Sequence, residues 1–481
     1  MASIVVPIGY SGSSCGYCGE HGQRSAGKNS YSYGFWAVQL SCQDYKNLID
    51  TGWRRSGAYV YNPDRARTCC PQYTIKLDAA QFKPSRSLRQ ELHRFNRWVT
   101  TDRHPSFSEE GAKETANHGT ASAIDVDMPS APSIAAPAVD VAKVEGVAAK
   151  HEESDDLPTD SHAQTTPHTQ VTHKRKGKNN TFDLVECVKE AQKATDAAHN
   201  LHVSLEKASY TDEKFELFSK YQVGIHHETP SEQRQSSFKG FLVDGPLKYA
   251  PIQYTHGRQP SLPSHYGQYH HMYRVDGRLI AMGVVDILPQ CVSSVYLMYD
   301  PLYQPLNLGK ISALYEIALA TEMRAAGAGP VDVYMGYYIH DCVKMKYKAA
   351  YQPSYLLDAQ THTFYSYKEA AETLDKHRWA SFARGENIKL DGGIKRGDEG
   401  GGDGDGSDED EDDENLPSPP PAGFLDPHTL PKHLLNDIKI LDNKSMALLT
   451  YFTLPRSYRP QINDIVAALG EKARDFILLI T

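Results

Sequence analysis

A chain of 481 residues has room for two or three ordinary domains, and a hydrophobic content of 40% fits folded lobes separated by unstructured stretches. The formal charge of −9 misleads, because roughly eleven carboxylates fall between Asp398 and Glu414 and leave the remainder near +2, which is compatible with an RNA partner. No apolar run approaches the roughly 18 residues that span a bilayer, and Met1 to Ser14 lacks a charged start followed by an apolar core, so a cytosolic or nuclear protein without a membrane partner is expected.

Residues 1–103 read as one small, cysteine-bearing domain. Tyr31 to Leu40 is strand-like, and Ser41 caps a short helix that Gly52 stops. Ala58 to Tyr61 is a short strand, Cys69 and Cys70 follow in a loop, and Tyr73 to Leu77 is another strand. Ser85 to Val99 is a helix made basic by Arg86, Arg89, His93, Arg94 and Arg97. From 104 to 178 the composition shifts to Ser, Ala, Pro, Asp, His and Thr without periodicity, as in a disordered linker. It ends in the basic run His173 to Lys178, which suits a solvated linker end, an import signal or an RNA tether.

A second domain is expected over 179–384. Leu201 to Ala208 alternates like a strand, Asp212 to Tyr221 is helix-like, and Phe238 to Val243 is apolar. Asp276-Gly277 joins two strand-like runs, a strong hairpin signal. Cys291 to Tyr299 is the next strand, Leu308-Gly309-Lys310 opens a helix that runs to Ala325, and Val331 to Ile339 is the strand after it. Hairpin, strand, glycine turn, helix, strand is the core order of the acetyltransferase-like (GNAT) fold, an α/β architecture of the α+β kind. Residues 385–427, rich in Gly and Asp and then Pro, are expected to be a disordered acidic insert. Residues 428–481 read as closing helices, Pro460 to Ile480 among them, packed on the second domain.

Two clusters carry chemistry. Cys15-x-x-Cys18 lies in a glycine-rich loop, and with Cys69 and Cys70 about fifty residues on it offers four thiolates, enough for a zinc ion or an iron–sulfur cluster. His21 is close by and reads as a loop residue rather than a ligand. Cys42 and Cys187 have no such partners. The eight cysteines of a reducing compartment point to metal or redox chemistry before disulfides. The second cluster is Tyr334 to Lys348, which opens as a strand and turns basic and aromatic. If it stays extended, Lys344, Lys346 and Lys348 share one face, and lysines interleaved with rings suit a nucleic-acid end.

The run Gly336-Tyr337-Tyr338-Ile339-His340 followed by Cys342-Val343-Lys344-Met345-Lys346-Tyr347-Lys348 resembles the signature of the arginyl-tRNA–protein transferases. The cysteines Cys15, Cys18, Cys69 and Cys70 match that family as well, and so do Tyr221-Gln222-x-x-Ile225-His226-His227 and Phe238-x-x-Phe241-Leu242. The resemblance implies the acetyltransferase-like fold and a zinc or, by preference, iron–sulfur site on the four cysteines. It also implies transfer of arginine from arginyl-tRNA to proteins whose N-terminus is Asp, Glu or oxidised Cys, which feeds a ubiquitin-ligase pathway.

Such a reaction starts from an activated ester, so neither ATP nor CoA is expected, and no P-loop pattern is present. It needs a base for an α-amino group, an oxyanion stabiliser, and a cationic pocket for an acidic acceptor. The candidate bases are His226, His227, Asp286 and His340. Tyr296, Gly309, Tyr337, Tyr338 and Tyr347 join the three lysines as candidate substrate or tRNA contacts, and Cys342 is weighed as a nucleophile. Two rivals stand beside this reading. One is an acyl-CoA N-acetyltransferase of the same fold, disfavoured because Lys310 and Ile311 break the glycine run after Gly309. The other is a non-enzymatic metal and tRNA-binding module. Leucine as the donor amino acid is also open.

Overall fold

Two sheets carry the chain, and each borrows strands from distant parts of it. The computed structural model describes residues 2–18, 24–104, 139, 144, 182–385 and 415–480. The expected linker up to 178 with its basic end, most of the expected acidic insert, and His21 lie outside the described residues.

In chain order, β1 (Ser3–Ser14) and β2 (Lys28–Ser41) lead into α1 (Cys42–Ile49), whose first amides are capped by the Ser41 side chain. Then come β3 (Arg54–Ser56), β4 (Tyr59–Pro63), β5 (Tyr73–Leu77) and α2 (Arg86–Thr101), capped by Ser85. The second half opens with α3 (Leu184–Lys193), β6 (Leu201–Lys207), α4 (Asp212–Ile225) and α5 (Gln235–Leu242). The short β7 (Leu247–Lys248) and β8 (Ala250–Pro251) precede β9 (His265–Val275), β10 (Arg278–Leu288) and β11 (Cys291–Tyr299). The long α6 (Leu308–Ala325) follows, then β12 (Asp332–Tyr338), α7 (Val343–Lys346), β13 (Ser354–Leu357), β14 (Phe364–Ser366) and α8 (Tyr367–Leu374). Last are β15 (Lys439–Asp442), β16 (Leu448–Leu449), α9 (Arg459–Leu469) and β17 (Phe476–Ile480).

The first sheet has the order β16-β15-β17-β1-β2-β4-β3, with β7 beside β2, and the second has the order β14-β13-β5-β12-β11-β10-β9-β6, with β8 beside β9. The expected Asp276-Gly277 hairpin is present, and both turn residues have positive φ, as a tight two-residue turn demands. In the second sheet α6 is buried on nearly every side, which its run of Ile311, Leu314, Ile317, Ala318 and Leu319 allows without a wide polar face. Leu88, Leu92, Phe95, Trp98 and Val99 of α2 join the same core.

Three expectations about the elements need correction. Phe476–Ile480 is not helical: all five residues are buried, and the strand lies between β1 and β15, parallel to both. An unbroken apolar run of that length suits a strand buried on both faces. The C-terminal segment therefore completes the N-terminal sheet, and its core also takes in Leu288, Cys291 and Tyr334 of the second half. Conversely, β5 leaves the N-terminal region to sit between β12 and β13. The end of the expected acidic insert is packed, since the Phe424 ring stacks on Trp53 at 6.0 Å and the Leu416 amide donates to Asp464.

Candidate functional site

The cleft forms where two parallel strands part. The β11–β12 ladder holds only from Cys291↔Asp332 to Ser293↔Tyr334, after which β11 goes on unpaired with β12. Next to that point β12 shifts register against β5 between Tyr334 and Tyr337, and Gly336 takes φ +63°, a conformation that costs glycine little. The opening is a small cavity of about 20 Å³, lined by Arg54, Arg55, Tyr61, Ser294, Gly336 and Tyr337 among others.

The two arginines come from β3 of the first sheet and do different work. Arg55 forks onto Asp286 through Nε at 2.9 Å and Nη2 at 2.6 Å, with both side chains fully buried. Arg54 is 5% exposed and, among the described residues, has no carboxylate partner. Its Nη1 donates to the Trp53 and Ile49 carbonyls and its Nη2 to that of Gly336, and the guanidinium stands 5.2 Å over the Tyr337 ring. Its Nε is buried without an acceptor. A buried cation with spare donor capacity at a cleft is suited to an anionic ligand. Sequence reasoning passed over this pair; the available signal was two adjacent arginines inside a short stretch flanked by Trp53 and Val60, where exposed charge is out of place.

The predicted bases scatter. Asp286 is occupied by Arg55 and serves as the counter-charge of a buried ion pair, which corrects its assignment as a free base. His226 ends α4, with Nε2 3.3 Å from the Tyr296 hydroxyl, which itself donates to Gln222 at 2.9 Å. This small network links α4 to β11, but neither His226 nor Tyr296 is a lining residue of the cleft. His227 is exposed and in a left-handed conformation. His340, just past β12, lies between the Tyr338 hydroxyl at 3.1 Å and Asp375 at 2.9 Å. Tyr338 also meets the Tyr367 hydroxyl, at 3.1 Å.

The expected extended lysine face does not form, because Val343–Lys346 is a helical turn and Tyr347–Ala350 continues as a 3₁₀ turn. Lys346 is exposed and Lys344 half-buried. Lys348 is 1% exposed, and its ammonium donates to the Tyr337 carbonyl. Burial, with Arg54 nearby, pushes its pKa down to about 7. Lys348 therefore braces the end of β12 and is not a phosphate-facing cation. Tyr337 donates to the Gly52 carbonyl at 2.8 Å, tying β12 to the first sheet, and Tyr347 packs edge-on to Tyr351. Gly309 is buried in the first turn of α6, and its carbonyl accepts from Ser312. The carboxylate of Glu91 already faces that helix start, 3.4 Å from the Asn307 amide and 3.8 Å from Lys310 Nζ. A pyrophosphate there would meet like charge.

The cysteines do converge. The four Sγ atoms of Cys15, Cys18, Cys69 and Cys70 lie within 4.8 Å of one another, with Cys18 and Cys69 at 3.6 Å. Hydrogen bonds from Cys69 and Cys70 favour the thiolate form of Cys15, and the Tyr17 amide donates to the same sulfur at 3.3 Å. A single tetrahedral ion with thiolate bonds of about 2.3 Å holds its sulfurs about 3.8 Å apart, so the set fits one metal ion. Tyr17, between the first two cysteines, lines the cleft, and Cys70 packs with Ile339, Cys342 and Met345 beside it. Cys342 is buried in this apolar group. Cys42 and Cys291 are buried core residues, and Cys187 is half-buried on α3.

Comparison with known proteins is informative over most of the chain. A family model described as "Arginine-tRNA-protein transferase, N terminus" matches residues 13–90, and one described as "Arginine-tRNA-protein transferase, C terminus" matches residues 213–358. The cleft draws on both matched stretches. The arginyl-tRNA–protein transferase 2 of Arabidopsis thaliana is 32% identical over 470 residues, covering 78% of this chain and 76% of the relative. The arginyl-tRNA–protein transferase 1 of Drosophila melanogaster is 32% identical over 428 residues, covering 78% and 85%. An aspartate/glutamate leucyltransferase of Pseudomonas syringae pv. syringae is 32% identical over 164 residues, covering 34% of this chain and 59% of the relative.

Proposed function

The chain belongs to the arginine-tRNA-protein transferase family, and from that premise we propose that its cleft joins the arginyl ester of a charged tRNA to an acidic protein N-terminus. The enzyme is an aminoacyltransferase that moves arginine from tRNA to protein. In the proposed complex the acceptor begins with Asp, Glu or oxidised Cys, and the product is marked for ubiquitin-dependent degradation. We place the protein in the cytosol or nucleus.

The observation that carries the acceptor reading is Arg54, a buried guanidinium with no counter-ion among the described residues, at the point where β11 and β12 part. An incoming carboxylate would supply its missing partner. The name of the leucyltransferase relative, which cites aspartate and glutamate, supports the same acceptor chemistry. The order of β9, β10, β11, α6 and β12, with the gap between the last two strands, supports an acetyltransferase-like reading of the second sheet.

The chemistry needs no outside energy source, because the ester is already activated. The α-amine, once neutral, attacks the ester carbonyl; the ribose oxygen leaves and takes up a proton. The cleft brings both partners into line, which is the larger part of what such a catalyst supplies. The basic face of α2 offers contacts to tRNA phosphate. The four cysteines would hold a zinc ion or an iron–sulfur cluster, and their compact spacing favours a single ion. Bound there, it would fix the loop that places Tyr17 at the cleft. The rival acetyltransferase reading is disfavoured by the Glu91 carboxylate at the start of α6.

The test is transfer of labelled arginine from charged tRNA, without ATP, to peptides beginning with Asp, Glu, Ala or Lys. Label on the Asp and Glu peptides alone is expected. Arg54→Gln should then reduce kcat/KM for the acidic peptides by roughly 10- to 100-fold, the loss of a charged hydrogen bond, with tRNA affinity unchanged. Label on no peptide, with tRNA still bound, would make the protein a tRNA-binding module instead.

A further inference from the structure

One buried carboxyl group stands behind the cleft wall. Glu316, on α6, is 3% exposed. Among the described residues it accepts a hydrogen bond from the Ser294 hydroxyl, 3.4 Å from Oε1, and Ser294 is a half-buried lining residue of the cleft. No lysine or arginine pairs with it among the described residues. The groups that face it are Ser294 on β11, His271 and Tyr273 on β9, and Tyr347 and Tyr351 beyond α7. Burial holds His271 neutral, with its pKa down at about 4, and keeps the tyrosines protonated, so no cation stands nearby. Gly283 leaves room on this side of the sheet, since a Cβ there would lie 3.7 Å from Glu316 Oε1 and 3.6 Å from the His271 Cβ. A carboxyl group buried without a cation is costly and calls for a reason.

We propose that Glu316, acting through the Ser294 hydroxyl, is the positioning residue that takes the proton from the acceptor's α-amine and returns it to the leaving ribose oxygen; this rests on the acceptor entering the cleft as proposed above. The steps balance. The α-ammonium first releases one proton to solvent; as the neutral amine forms the new C–N bond, its nitrogen gives a second proton to Ser294 Oγ while the Ser294 proton passes to the Glu316 carboxylate. The ester C–O bond then breaks, and the proton runs back from Glu316 through Ser294 to the ribose 3′ or 2′ oxygen. No oxidant, metal or co-reactant is consumed. Desolvation raises the Glu316 pKa to about 8, close to that of an α-amine, so a proton moves between the two at little cost. None of the three predicted histidines, His226, His227 and His340, has this access, because none lines the cleft.

The experiment follows arginine transfer to a Glu-initiated peptide between about pH 6 and pH 9 for the wild type, Glu316→Gln and Ser294→Ala. Gln matches the shape of a protonated Glu, so the fold should survive. Both variants are expected to lower kcat on the order of 100-fold, with peptide KM within about twofold, and to lose the basic limb of the wild-type profile. A folded Glu316→Gln with wild-type kcat and an unchanged limb would overturn the proposal. Should Glu316→Gln not fold, Ser294→Ala decides alone, and a wild-type profile in it has the same meaning. A wild type that transfers no arginine to any peptide would instead count against the acceptor reading on which the proposal rests.

Discussion

At the scale of single residues the molecule keeps several ionisable groups out of water, and each is settled differently. Asp286 has a bidentate partner in Arg55, Lys348 has a backbone carbonyl, Arg54 has carbonyls and a ring, and Glu316 has one hydroxyl. Little of this was legible along the chain beyond the adjacent Arg54 and Arg55 in a short stretch between Trp53 and Val60. Asp286 looked available as a base because its partner lies 231 residues away in another sheet. Lys348 looked solvated because it follows two other lysines. Glu316 carries a stability consequence that is separate from catalysis. Its folded pKa of about 8 lies above the usual carboxyl value near 4.5, so the folded state holds a proton that the unfolded state has already lost. Its contribution is therefore full below about pH 4.5 and declines as pH rises through 8. Glu316→Gln should flatten that decline and gain on the order of a few kcal/mol at pH 8 relative to wild type, read from urea unfolding at several pH values. Parallel curves for the two proteins would mean that Glu316 is not held protonated in the fold.

Among the elements, the ones read correctly are those with a strong local signal. The Ser41 and Ser85 caps, the Asp276-Gly277 turn and the apolar spacing of α6 are each decided by residues a few positions apart, and the sequence marks them. The misread ones are decided by partners. Val343–Lys346 turns helical because Met345 and Cys342 bury against Ile339, which an extended chain would not permit. Phe476–Ile480 follows a real helix and continues its apolar character, so helix period alone does not separate the two; its place beside β1, more than 470 residues away in sequence, makes it a strand. Leu478 is at the centre of that strand, fully buried, and is paired with Val5 on one side and Ile440 on the other. Leu478→Ala should cost about 2–5 kcal/mol, as large-to-small changes in close-packed cores do, with the denaturant m-value unchanged. A cost below about 1 kcal/mol would place this strand at a frayed edge and not in the core.

Considered as a whole molecule, the N-terminal part of the chain supplies β3 with its arginines, the cysteine loops and α2, and the second sheet supplies the parted strands. Neither part holds the cleft alone, and β5 and β17 each exchange sides to bind the two together. The net charge conceals how the surface is arranged. On α2 the apolar side is buried, and Arg86, Arg89, His93, Arg94 and Arg97 are all exposed, most of them at helical spacing on one outward face. Only Arg94 has a carboxylate close by in the described residues, Glu91 at 3.2 Å. We propose that this strip of cations, on a helix that packs against α6, meets tRNA phosphate. Phosphate contacts of this kind release counter-ions, so affinity should fall steeply with salt. Arg89→Glu combined with Arg97→Glu should weaken tRNA binding at low salt and lessen the slope of log K against log salt by about one per contact removed. Peptide KM at saturating tRNA should stay as in the wild type, because α2 contributes no lining residue to the cleft. An unchanged salt slope would assign the strip to solvation and send the search for the tRNA path to Lys344 and Lys346, whose short helix also carries the cleft-lining Met345.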